Sequence, residues 1–199
     1  MLSILVKGGW VMLPLAFCSI VAMTITVERL VFFGGMSKAR GQADRVLSLL
    51  EAGRLDEAQK MAGNKAWSVV KVLKAGMAYR QNPVKAMEMA ALSEVTAMKR
   101  GLPILETIIT LSPLLGLLGT IIGMIGSFQI MASTGSSQPH AVTGGVAEAL
   151  IATATGITVA VTTLIPYNYF LTQVERETEK IEQDATRLEL AIDKLTLER

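Results

Sequence analysis

The chain has 199 residues, 51% of them hydrophobic, with a mean hydropathy of +0.44 and a formal charge of +2. That is more apolar than an ordinary soluble domain. One cysteine, Cys18, and one histidine, His140, exclude an intrachain disulfide and a Cys-based metal site. No phosphate loop, nucleophile elbow or dinucleotide fingerprint is present, so neither an enzyme nor a cofactor is expected, and no nucleic-acid partner.

In chain order, residues 1–33 hold the N-terminus and a first apolar run. Gly8–Val27 is uncharged and closes at Glu28–Arg29; about 20 apolar residues suffice to cross a bilayer. A cleaved signal peptide is the rival reading. The run is too long for an h-region, and no small-x-small cleavage site follows it. Residues 34–100 are polar and basic, with twelve Lys/Arg against six Asp/Glu. They read as short amphipathic helices broken near Gly53, Gly63–Asn64 and Asn82–Pro83. Pro83 suits a first helical turn, with Asn82 as its N-cap. Beyond it nothing strong interrupts the pattern, so one rod over Val84–Met131 is predicted. It would be about 70 Å long at 1.5 Å per residue, with Pro103 as a possible kink.

The second span, 101–131, and the third, 144–170, dominate the chain. From Thr107 to Ala147, 41 residues, there is no Asp, Glu, Lys or Arg. The connection 132–143 carries Gly, Ser and Pro and no formal charge. After Phe170 the composition flips to a charged helix, 171–199, in which Val174, Ile181, Leu188 and Leu195 recur every seven residues. That stripe favours packing on a neighbouring helix over a coiled-coil seam. Basic residues concentrate in 34–100 and the tail, and 132–143 has none. The N-terminus and the connection therefore face outward, and the basic domain and C-terminus face the cytoplasm. The predicted fold class is all-α: a polytopic protein of the lipid bilayer with three transmembrane helices, the second and third extending into the cytoplasm.

Glu148 is the one acid deep in the third run. At membrane depth an ionisable group needs protein, water or a partner, which makes it a functional candidate; the alternative is an interfacial glutamate capping the span. Glu106, near the cytoplasmic mouth of the second span, reads as a wet rim residue. At 100° per residue Glu148, Thr155 and Thr162 share a stripe, whereas Thr153 points about 140° away. Ser112, Thr120 and Ser127 form another stripe. Such hydroxyls can also satisfy themselves on their own i−4 carbonyls, and periodicity alone favours interhelical contacts over a conduction path. Gly116, Gly119, Gly123 and Gly126 make a close-approach face on the second span.

At SPLLGLLGTIIGMIGSF and GVAEALIATATGITVAVTTLIPYN the sequence resembles the ExbB/TolQ branch of the MotA/TolQ/ExbB proton-channel family. The resemblance implies an inner-membrane homo-oligomeric ring, typically a pentamer. The ring would surround single-span ExbD/TolR-like partners that carry a membrane aspartate, and proton flow would drive a TonB- or TolA-like protein. By position, the pore threonines fall on Thr120 in GLLGT and Thr153 in ALIAT. The third-span glutamate falls on Glu148 in AEAL, and the helix-shaping prolines on Pro113 and Pro166. An ExbB-like role in outer-membrane transport is expected first, with a TolQ-like role in outer-membrane integrity and division as the alternative. The chain departs from some ExbB proteins in having no N-terminal periplasmic extension. It departs from flagellar MotA in lacking a fourth span and a large cytoplasmic domain. A secondary transporter would need inverted repeats and broken helices, and three spans offer neither.

Overall fold

A computed structural model describes residues 8–36, 40–52, 54–61, 68–79, 82–134 and 139–197. Among them the regular structure is helical throughout: α1 (Met12–Met36), α2 (Arg40–Glu51), α3 (Leu55–Met61), α4 (Ser68–Ala78), α5 (Pro83–Lys99), α6 (Leu102–Thr134) and α7 (Pro139–Leu197). Three of these helices are long and apolar enough to cross a membrane. The chain divides into two compact units, Met1–Glu28 with Gly101–Tyr169 and Arg29–Arg100 with Phe170–Arg199.

The first unit turns its hydrophobic side chains outward. Leu13, Phe17, Ile20 and Met23 of α1 are exposed, as are Leu114, Leu117, Ile121, Ile125 and Phe128 of α6 and Leu150, Ile157, Val161 and Ile165 of α7. In water such a surface would be a severe aggregation liability; against acyl chains it costs nothing. Inside, small residues and hydroxyls replace the large core side chains of a soluble bundle, because helix association in lipid depends on close packing and polar contacts. Larger buried side chains lie at the start of α1, where Val11, Met12 and Leu15 pack with Leu115 and Ile122 of α6, and in the first turns of α6, at Leu102, Leu105 and Ile108.

In the second unit the usual pattern returns. Val46 and Leu47 of α2, Val69, Val70, Val72 and Leu73 of α4, and Met87 and Met98 of α5 are buried. Val174, Ile181 and Leu188, the heptad positions of α7, are 2%, 1% and 0% exposed, so the stripe is a buried one; the side chain of Leu195 lies outside the described residues. Phe170 stacks on Phe33 with centroids 5.7 Å apart, and Phe33 meets Phe32 edge-on. Lys71 of α4 reaches Glu94 of α5 at 2.8 Å.

The rod expected over Val84–Met131 is two helices. Gly101 adopts φ +81°, a conformation open to glycine and strained for other residues, and the α5 ladder ends at Arg100. Pro103 therefore lies in the first turn of α6, where its missing N–H has no helical partner to lose, and it kinks nothing. Asn82 does occupy the N-cap of α5 with Pro83 following, but its side chain makes no capping bond. At the other end, α6 and α7 run into the connection from both sides, leaving only 135–138 between them.

Candidate functional site

The site is built on the seam between α6 and α7. A methyl group added at Gly116 would meet the Thr153 Cα at 3.0 Å and the Ala152 carbonyl oxygen at 3.1 Å. One at Gly119 would meet the Ala152 Cβ at 2.5 Å, and one at Gly123 the Ala149 Cβ at 2.9 Å. From the other side, Gly156 lies against the Ser112 carbonyl, and Gly145 against the Ser127 hydroxyl. Each step up α6 is matched by a step down α7, so the pair is antiparallel and its backbones touch along four turns. Gly126 faces open space. Of the four glycines expected on the close-approach face, three form it. Its other half, Gly145, Ala149, Ala152 and Gly156, was not singled out in the sequence, although its 4-3-4 spacing is a helical stripe.

This closeness fixes the two threonines. The Thr153 hydroxyl, half-buried, donates across the seam to the Gly116 carbonyl at 3.0 Å. The Thr120 hydroxyl donates to the next carbonyl along, that of Leu117, at 2.6 Å. Two hydroxyls from different helices are thus gathered at one turn of α6. Both hydrogens are committed to backbone oxygens, so what each hydroxyl has left to offer is its oxygen lone pairs.

Glu148 lies elsewhere. It is half-buried, and its carboxylate packs against Gly9, just before α1, so closely that a Cβ at Gly9 would overlap Oε1. Gly9 has φ +71°. The Glu148–Thr155–Thr162 stripe runs beside α1, since Ile151 approaches Gly8 and Thr162 shares a cavity with α1 side chains. Thr155, Thr158, Thr162 and Thr163 each bond a carbonyl three or four residues back on α7. Ser127 bonds Gly123 in the same way. Buried Ser112 makes no hydrogen bond among the described residues. Glu106 is exposed and is bonded by the Tyr167 side chain. Pro113 and Pro166 lie inside continuous helices.

One residue that sequence reasoning treated only as the end of a span has a larger part in the second unit. Arg29 is 3% exposed and donates to the carbonyls of Ala97 and Met98, at 3.2 and 3.3 Å. Its guanidinium also lies 4.8 Å from the Phe32 ring. A cation on the last carbonyls of α5 caps the negative end of that helix dipole. The available signal was an arginine flanking an apolar run, which is too common to point at a particular helix end.

The sequence comparisons agree with this architecture. Residues 58–183 match the MotA/TolQ/ExbB proton channel family. The chain is 33% identical over 190 residues to biopolymer transport protein ExbB-like 3 of Synechocystis sp., covering 92% of this chain and 90% of that protein. It is 34% identical over 195 residues to ExbB-like 1 of the same organism, covering 92% and 76%. Against the Tol-Pal system protein TolQ of Pseudomonas aeruginosa the identity is 37% over 98 residues, covering 49% and 42%. A match over most of the basic domain and both later spans, on three apolar helices with hydroxyls at the α6–α7 seam, makes this chain a member of the MotA/TolQ/ExbB proton channel family.

Proposed function

We propose that the chain is the ring-forming subunit of an inner-membrane motor driven by the proton gradient, ExbB-like in its task. On this reading several copies, a pentamer in the family's usual pattern, enclose the membrane span of an ExbD/TolR-like partner. Force then passes to a TonB-like protein that serves outer-membrane transport. The N-terminus and the 132–143 connection face the periplasm, and the basic domain and C-terminal helix face the cytoplasm, in keeping with the charge distribution.

The observation that carries the reading is the pair of hydroxyls at one turn of α6. Thr120 and Thr153 keep their hydrogens on the Leu117 and Gly116 carbonyls. A protonated carboxyl on the partner can donate to their oxygens; an ionised one finds no donor unless a hydroxyl leaves its carbonyl. The passage therefore favours the neutral acid without any fixed counter-charge, whereas a lysine there would hold the carboxylate ionised. Glu148, turned toward α1, serves this site as part of the water-accessible approach or as a packing contact.

The test is proton uptake by proteoliposomes holding this chain with its single-span partner. Thr120→Val and Thr153→Val keep the shape and remove the acceptor, and each is expected to abolish most gradient-driven uptake. Undiminished uptake in both would overturn the reading. The TolQ-like alternative is supported by the match to TolQ. The two separate in cells lacking the chain: an ExbB-like subunit restores gradient-dependent outer-membrane uptake, and a TolQ-like one restores resistance to detergent.

A further inference from the structure

Between α1 and α7, inside the first unit, lies a cavity of about 210 Å³ lined by Ser19, Ala22 and Thr26 on one side and Thr162, Thr163 and Pro166 on the other. Its position follows from helical spacing. Ser19, Ala22 and Thr26 fall at i, i+3 and i+7 on one face of α1, and Thr162, Thr163 and Pro166 are one turn of α7. Three polar groups there need a partner. The hydroxyls of Ser19 and Thr26 make no hydrogen bond among the described residues, in contrast to neighbouring Thr24, which bonds the Ile20 carbonyl at 2.8 Å. Pro166 has no amide hydrogen, so the Thr162 carbonyl lacks its ordinary helical donor.

Hydrocarbon cannot supply these bonds, and leaving polar groups unpaired in it is unfavourable. The volume has room for several waters, each with hydroxyls and a carbonyl within the walls to hold it. We propose that this cavity is a water-binding site within the membrane unit, an inlet by which water reaches the hydroxyl stripe of α7 from its α1 side, away from the Thr120–Thr153 pair. The hydration follows from the walls alone and stands apart from the motor reading; only the use of that water to relay protons would rest on that reading.

Thiol reactivity tests it, because the thiolate, which needs water, is the reacting form. Cys18 is replaced by alanine, and Ser19→Cys and Thr26→Cys are made separately in the full chain in native membranes. Ile20→Cys and Val27→Cys, at exposed positions next to Ser19 and Thr26 respectively, serve as controls. The probe is a small charged methanethiosulfonate. Modification of Ser19→Cys and Thr26→Cys on the order of tenfold faster than the controls is expected, whether or not the gradient is present. Rates no faster than the controls at both positions overturn the proposal, whether lipid or a neighbouring subunit fills the space. Should one variant fail to assemble, the other decides. Loss of proton uptake in Thr153→Val with fast labelling retained would reject neither the inlet nor its hydration, which keeps the two readings separable.

Discussion

The tightest part of the seam offers the sharpest test of the fold. In Gly156→Ala the new methyl would lie 2.5 Å from the Ser112 carbonyl oxygen and 3.1 Å from the Gly116 Cα, where ordinary contact begins at 3.4 Å. Both neighbours are backbone, so no side chain can swing away. The helices must part by most of the 0.9 Å shortfall. Overpacking of this kind costs about 1–3 kcal/mol, and the nearby Thr153–Gly116 bond, weakened by the same shift, adds roughly 0.6 kcal/mol. Alanine's better helix propensity returns about 1 kcal/mol. The expected net loss is about 0.6–2.6 kcal/mol, read as a lower midpoint when the detergent-solubilised protein is unfolded by heat or by SDS. Gly126→Ala carries only the propensity gain, because nothing lies within 4 Å of its added methyl. It should be neutral or slightly stabilising. If Gly156→Ala proved as stable as Gly126→Ala, the touching-backbone account of α6 and α7 would fail.

Other expectations follow from single contacts. Gly9→Ala forces a left-handed φ on alanine, about 1–2 kcal/mol, and drives a methyl into Glu148; adding Glu148→Ala should recover the steric part and leave the backbone part, as a double-mutant cycle of unfolding midpoints would show. Arg29→Met removes the donors to the Ala97 and Met98 carbonyls and should cost roughly 2–3 kcal/mol, seen as faster proteolysis within residues 29–100. Asp184 in the second unit is 4% exposed with Oδ2 unbonded among the described residues. Burial, aided by Asp44 and Glu177 and opposed by Lys180 and Arg187, pushes its carboxyl up from the usual 3.8. The folded form thus holds the proton more tightly, so its contribution is full below about 3.8 and lost as pH rises through the elevated value. Asp184→Asn should accordingly raise the unfolding midpoint at pH 7 and lose that advantage below pH 4; an equal gain at both pH values would refute the cause.

Much of this fold was legible because the bilayer writes plainly in sequence. Uncharged runs of twenty or more residues mark spans, and the heptad leucines and isoleucine of the C-terminal helix announced the stripe that Val174, Ile181 and Leu188 bury. The break at Arg100–Gly101 was not legible. One glycine in a long helical pattern is as compatible with the helix interior as with a left-handed residue, and only neighbouring contacts decide. Half of the seam was visible as glycines on α6; the matching face on α7 sets two alanines, Ala149 and Ala152, between Gly145 and Gly156, and alanines are too ordinary in any helix to mark a stripe. At the candidate site, residue positions came from the resemblance. That Glu148 faces Gly9 while Thr153 faces Gly116 is a matter of which helix stands on which side, and no one-dimensional pattern contains it.

The seam and the hydroxyls are one device. Because Gly116, Gly119 and Gly156 let the backbones touch, the Thr153 hydroxyl reaches a carbonyl on the other helix instead of bonding its own, as Thr155, Thr158, Thr162 and Thr163 do. Its hydrogen is therefore tied to the distance between α6 and α7. From 3.0 Å, a separation of about half an ångström takes the bond to the edge of hydrogen-bond range. The freed hydroxyl could then donate to an ionised carboxylate, whereas the tied one could only accept from the protonated acid. On the motor reading, a small parting of two helices would turn the passage from one that favours the neutral acid into one that also holds the anion, with no charged residue involved. An added methyl at Gly156 would hold the helices in the parted state. The Gly156→Ala ring should then bind a partner with Asp→Asn, the stand-in for the neutral acid, less selectively over the wild-type partner than the native ring does; unchanged selectivity would separate the packing from the chemistry.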